Sequence, residues 1–77
     1  MLGSLVPLDC LQPGEFGSVA DISGEPEWIC RMAELGMQEG CHLKMVQNGS
    51  TCLLQIGECR LCLRADKSAQ ILVRLQG

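Results

Sequence analysis

The sequence predicts a small all-β barrel with one short helix inserted early, and three observations carry that prediction. Four segments of the second half, 41–46, 51–56, 59–64 and 70–75, alternate apolar and polar residues with the period of two that a half-buried strand requires. Turn dipeptides separate them, at Asn48-Gly49 and Gly57-Glu58. Only around residues 25–36 does the period lengthen to that of a helix, with Trp28, Met32 and Leu35 at i, i+4 and i+7.

The elements follow in order. Leu5-Val6-Pro7-Leu8 is a short apolar start, and Gln12-Pro13-Gly14-Glu15 is a turn. Residues 17–22 read as a strand leading into Ser23-Gly24. Ser23 or Gly24 caps the helix, Pro26 suits its first turn, and Glu25 and Glu27 favour its positive end. The stripe of Trp28, Met32 and Leu35 is expected in the core, with Ile29 and Ala33 beside it and Cys30 and Glu34 opposite. Gly36 ends the helix, and Met37-Gln38-Glu39-Gly40 turns the chain into the next strand. Asn48-Gly49 is the signal of a two-residue hairpin. Residues 65–69 form a turn or a single helical turn before the last strand. Five or so short strands in so small a chain are best served by closing the sheet, which removes its exposed edges.

Composition narrows the function. Seventy-seven residues fit one domain, 1–77, with no room for a deep cleft. A chain this size buries only about 60% of its unfolded surface. Phe16 and Trp28 are its two aromatic residues, so the core must be aliphatic with Met and Cys filling gaps. Residues 1–39 carry seven acids and one base, residues 40–77 five bases and two acids, so the halves stand at −6 and +3 within a net charge of −3. This imbalance reads either as two interleaved solvated faces or as a partner-facing basic patch on the second half. Nucleic acid is excluded as that partner, because base-stacking platforms need aromatic residues in a basic groove. Residues 1–7 have no basic start, and Pro7 and Asp9 cut the apolar run, so no secretory signal is expected. No apolar stretch approaches the ~20 residues needed to cross a membrane. A reducing cytoplasm with free thiols is the expectation.

Cys59-Arg60-Leu61-Cys62 has the spacing of half a zinc site or a redox pair. On a strand, i and i+3 point to opposite faces. With Leu61 and Leu63 inward, Cys59 points in and Cys62 out, so no metal is assigned. By the same phase Cys41 and Cys52 are core residues, while Cys30 and Cys62 are reachable thiols. His42 falls on the polar phase of its strand and reads as a solvated side chain. No nucleophile–base pair has an evident orienting group, and there is no phosphate-binding glycine loop, so the chain is read as a binding protein and not an enzyme, without cofactor.

Three segments carry a resemblance. Leu8-Asp9-Cys10-Leu11-Gln12-Pro13-Gly14-Glu15-Phe16-Gly17-Ser18-Val19 is similar to an opening pattern L-x-x-L-x-P-G-x-x-G-x-V. Arg31-Met32-Ala33-Glu34-Leu35-Gly36-Met37-Gln38-Glu39-Gly40 is similar to R-L-x-E-L-G-L-x-P-G, with Glu39 in place of Pro. Arg60-Leu61-Cys62-Leu63-Arg64 followed by Ala69-Gln70-Ile71-Leu72-Val73 is similar to R-x-A-L-R…A-x-x-I-x-V. In this order and spacing the chain resembles the ferrous iron transport protein A (FeoA) family. The resemblance implies an SH3-like barrel and a cytoplasmic, non-enzymatic accessory role that modulates the ferrous iron transporter FeoB. The expected partner is FeoB's cytoplasmic region. The residues expected to meet it are Arg31, Leu35 and Met37 at the helix end and Arg60 and Arg64 on the outer strand face. The alternative function is a cysteine-rich metal carrier or sensor using surface thiols, and a third reading is a homo-oligomeric module.

Overall fold

The computed structural model describes residues 5–75. Residues 1–4, part of the N-terminal run read for a targeting signal, and 76–77 lie outside that range. Six strands form one antiparallel sheet: β1 (Leu5–Pro7), β2 (Phe16–Ile22), β3 (His42–Gln47), β4 (Thr51–Ile56), β5 (Cys59–Arg64) and β6 (Ile71–Leu75). Their order across the sheet is β1-β6-β2-β3-β4-β5. A 3-10 turn (Leu8–Cys10) follows β1, helix α1 (Pro26–Glu34) lies between β2 and β3, and a single helical turn, α2 (Ala65–Ser68), joins β5 to β6. The all-β architecture with one early inserted helix is as the sequence predicts. The sheet itself is open, with β1 and β5 as its edges among the described residues.

The inward phase of the strands supplies Val19, Leu43, Met45, Cys52, Leu54, Leu63, Ile71 and Val73. The 3-10 turn adds Leu8 and the residue after it Leu11, and the helix region adds Met32 and Met37. This core is aliphatic with methionine and cysteine, as a chain of two aromatics dictates. Trp28 only packs against its border, where the Lys67 ammonium sits 5.5 Å from the ring centroid.

Turn chemistry explains the connections. Pro13 and Gly14 occupy the centre of a turn closed by the Glu15 amide donating to the Gln12 carbonyl at 3.0 Å, and Gly14 takes the positive φ of 94° that a type II turn needs at that position. Gly57, at φ 61°, is followed by Glu58 at negative φ, and Ile56 faces Cys59 across the ladder. That is the two-residue II′ hairpin, with glycine first. The Asn48-Gly49 expectation fails in its detail. Neither residue has positive φ, the connection is three residues long, and the register shifts at Val46. The Asn48 side chain is instead recruited to the 3-10 turn, donating to the carbonyls of Asp9 at 2.9 Å and Leu11 at 2.7 Å.

Two helix expectations also change. Glu25 is the N-cap, without a side-chain cap, and Pro26 is the first helical residue. Ser23, expected to cap, donates its hydroxyl to the Gln70 carbonyl at 3.1 Å. At the other end the helix stops at Glu34, one residue short of the stripe's last member. Leu35 has left helical geometry and is 49% exposed, so it is not the core residue its spacing suggests. Gly36, at φ 95°, reverses the chain. The Met37 amide donates to the Met32 carbonyl at 2.8 Å and the Gly36 amide to the Ala33 carbonyl at 3.0 Å. These are the two bonds of a Schellman cap, which pairs the residue after the glycine with the third from the helix end. Met37, fully buried, thereby takes the core place that the spacing assigns to Leu35.

Candidate functional site

Outward residues of β3, β4 and β5 make one continuous surface. The ladder places Thr51 opposite Arg64, Leu53 opposite Cys62 and Gln55 opposite Arg60, and it places Lys44 beside Gln55. With His42 and Val46 these positions carry three cations and no acid. Arg60, Cys62 and Arg64 are exposed together on the edge strand. Arg64 has an acid nearby, Asp66 on α2 at 3.7 Å, but both side chains are largely in water, so the pair restrains Arg64 weakly. Phe16 on β2 sits opposite Lys44 and is 53% exposed, with the ammonium 5.5 Å from its ring centroid. A cavity of about 220 Å³ lies between them, lined by Phe16, His42, Leu43, Lys44, Gln55 and Gly57.

The helix end is the second patch. Arg31 is exposed on α1, near Glu27, Cys30 and Glu34 around a shallow hollow. Leu35 is half in water at the cap. A groove of about 330 Å³ runs beneath, between Ile22, Ile29, Ala33, Met37, Gln38 and Glu39. The helix end meets the inward side of β4, because a Cβ on Gly36 would meet Ile56 Cγ2 at 3.8 Å and Ile56 packs against the core, so the two patches are separate surfaces. Of the five residues expected to meet a partner, Arg60 and Arg64 share one face and Arg31 and Leu35 share the helix end. Met37 is fully buried, lining the floor of that groove, while Leu35 is left half in water. Lys44 lies on this strand surface, as the polar phase of its strand implies, and Phe16 is the member that the sequence reading leaves out. The signal was available, since Phe16 stands just before a strand whose inward phase begins with Gly17.

The thiols divide otherwise than by phase alone. Cys52 is buried, Cys41 is half-buried, and Cys10, Cys30, Cys59 and Cys62 are exposed, all unpaired. Cys59 keeps the inward phase but opens an edge strand beside the hairpin turn, at the sheet's corner, where no core reaches it; the inward placement expected for it is corrected accordingly. Among the described residues, no three His, Cys, Asp or Glu side chains gather in a way that would hold a metal ion. Burial pushes the Cys41 thiol up from its ordinary value, a backbone hydrogen bond at Gln38 acting the other way. A thiol raised in this way stays protonated and reacts slowly. Brief alkylation of the native protein is therefore expected to label Cys10, Cys30, Cys59 and Cys62 first, with Cys41 slow and Cys52 protected until the chain is unfolded. Mass spectrometry of the digested protein reads this directly, and rapid labelling of Cys52 would contradict its burial.

A family model described as the FeoA domain matches residues 6–75. The chain belongs to the FeoA family. The family is linked to ferrous iron uptake. A comparison with curated protein sequences finds no match. Among solved structures, the chain is similar to the crystal structure of an iron uptake regulatory protein (FeoA), with a TM-score of 0.87 at 20% identity over 95% of this chain and 100% of that one. It is similar to the solution structure of the FeoA protein from Chlorobium tepidum, with a TM-score of 0.88 at 23% identity over 94% of this chain and 71% of that one. It is also similar to part of a manganese-dependent transcriptional repressor, with a TM-score of 0.86 at 19% identity over 99% of this chain and 44% of that one. At these identities the likeness shows the fold, the SH3-like fold that the resemblance implies. Among the described residues no helix is long and apolar enough to cross a membrane.

Proposed function

We propose that the chain is a cytoplasmic accessory protein of a ferrous iron transport system, a binding module and not a catalyst, which binds the cytoplasmic region of the transporter FeoB and modulates it. Membership of the FeoA family supports the transport context. The observation that carries the binding role is the acid-free outer face of β3–β5, where Lys44, Arg60 and Arg64 stand around Leu53. Cations around an apolar centre are the composition of a docking surface, and arginine's planar fork pairs carboxylates in a fixed geometry. Arg31 and Leu35, exposed at the helix end, offer a second surface to the same partner. The rival carrier reading needs thiols gathered at one place, whereas the exposed cysteines lie on separate elements or on opposite phases of β5.

The double variant Arg60→Glu with Arg64→Glu tests the proposal. Neither residue is in the core, so the melting curve is expected to stay within about 0.5 kcal/mol of the parent. Association with the transporter's cytoplasmic region is expected to weaken at least about tenfold, and the residual binding to depend less on salt. Binding isotherms at two ionic strengths give both quantities. An unchanged affinity in the folded double variant would remove this face and leave the helix end around Arg31 and Leu35 as the surface to test.

A further inference from the structure

We infer that Phe16, Lys44, Gln55 and Arg60 form a seat for an acidic protein segment that carries an apolar side chain beside its carboxylates. The inference rests on the binding-module reading above and names the chemistry of the partner that the module accepts. The ladder makes these four residues one row across four strands: Phe16 opposite Lys44, Lys44 opposite Gln55, Gln55 opposite Arg60. Neighbouring strands lie about 4.8 Å apart, so the backbones of Lys44 and Arg60 stand about 10 Å apart with Gln55 between them. Two carboxylates of one segment can be held at once over that span.

Each member has its own part. Phe16 is a large apolar side chain 53% in solvent, in a chain with two aromatic residues. It borders the 220 Å³ cavity and offers a surface for an apolar anchor. Lys44 is held on the Phe16 ring, 5.5 Å from the centroid, so its charge is positioned before a partner arrives. Gln55 spends an amide N–H on the Gly57 carbonyl at 3.3 Å, which orients the side chain and leaves its carbonyl oxygen as an acceptor for a backbone N–H. Arg60 is exposed at the open end of the row.

Size and charge choose the occupant. Sites for small molecules and cofactors are typically about 300–1,000 Å³. This cavity falls below that and admits a side chain or two. The absence of acids among the outward positions of β3–β5 complements carboxylates. Phosphates of a nucleic acid would satisfy the same charges, but one exposed aromatic is no platform for successive bases. A second copy could bring Glu27 and Glu34 of its helix, but Arg31 stands between them on the same helix and would face the cations of the row.

The test measures fluorescence anisotropy with a short labelled peptide of Asp and Glu around a single Leu, and with a control peptide in which Asn and Gln replace the acids. The protein is the full chain, as the parent and as Lys44→Glu, Phe16→Ser and Arg74→Glu, the last an equal charge change on β6 outside the row. Lys44→Glu and Phe16→Ser are each expected to weaken the acidic peptide about tenfold, and Arg74→Glu less than about twofold. On the parent, amide shifts in nuclear magnetic resonance are expected to cluster at residues 16, 44, 55 and 60, which keeps the test decisive if a variant fails to fold. Equal weakening by Arg74→Glu, equal binding of the control peptide, or tighter binding of a single-stranded oligonucleotide would each overturn the seat. So would a concentration-dependent dimer that displaces the peptide and is lost in Lys44→Glu. The transporter's cytoplasmic region separates the two claims. If it binds the parent and the row variants alike, the seat fails and the proposed function stands. If the peptide binds at the row but the transporter region does not bind at all, the seat stands and the proposed function fails.

Discussion

Replacing Met37 with Ala is expected to cost about 2–5 kcal/mol, whereas Leu35→Ala, two residues earlier, should cost less than about 1 kcal/mol. Helical spacing alone argues the reverse order, because it puts Leu35 on the stripe with Trp28 and Met32. The cap decides the matter. Gly36 at φ 95° turns the chain back, and the bond from the Met37 amide to the Met32 carbonyl brings Met37 under the helix end. Met37 is fully buried and Leu35 is 49% exposed. Truncating Met37 leaves a cavity between the helix and the sheet, in a protein whose total stability is of the order of 5–15 kcal/mol. For so small a domain each kcal/mol moves the melting temperature by about 4–8 °C, so the two variants are easily separated by thermal or urea unfolding followed by circular dichroism. A Leu35→Ala variant that melts as low as Met37→Ala would show that the cap does not reverse the chain as described. Conversely, a Leu35→Ala variant that melts like the parent and binds the transporter region less tightly would support its place on the partner surface.

Sequence and structure agree where the signal is local and repeated. The alternation of 51–56 and 59–64 defines both strands to the residue, and Gly57-Glu58 defines their turn, because a two-residue II′ hairpin needs glycine first and nothing else from the fold. Errors arise where a distant partner outbids the local signal. Asn48-Gly49 has the chemistry of a two-residue turn, yet two backbone carbonyls of the 3-10 turn claim the asparagine amide, and no reading of residues 48 and 49 alone shows them. Leu35 was misplaced for a local reason that the sequence did contain, since a glycine just past the helix implies that the following residue, and not the preceding one, packs against Met32. Cys59 shows the limit of phase: an inward direction buries a side chain only where the core extends to meet it. The candidate site was legible in part. Alternation placed Arg60 and Arg64 on one outer face, but the row they join depends on the register between β2, β3 and β4, which no single strand encodes.

Replacing Asn48 with Ala is expected to cost about 2–4 kcal/mol, a large effect for a polar residue in a loop, because it strands the carbonyls of Asp9 and Leu11 without their donor. The Asn48 amide reaches them at 2.9 and 2.7 Å, and its carbonyl accepts from the Cys52 thiol at 3.5 Å. The side chain thus ties the β3–β4 connection to the 3-10 turn and to a buried position on β4. What it holds in place matters more than the bonds themselves, since Leu8, just before Asp9, and Leu11, which bears one of the accepting carbonyls, are both fully buried. Loosening the turn lets these two side chains leave the core together. Hydrogen exchange should show this locally, as faster exchange of the Leu11 amide, which donates to the Leu8 carbonyl at 3.1 Å. Asn48→Asp sharpens the test. It keeps the shape but presents a carboxylate to two carbonyls, so the charged form is disfavoured and its carboxyl is held above the usual range in the folded state. A group raised on folding contributes its stability at low pH and loses it as pH rises. The Asp variant is therefore expected to be less stable than Asn48→Ala at neutral pH and to recover part of the difference in acid, where the protonated carboxyl can donate one of the two bonds. If Asn48→Ala melts like the parent and the Leu11 amide keeps its protection, the two bonds do not hold the turn, and packing of Leu8 and Leu11 alone must suffice.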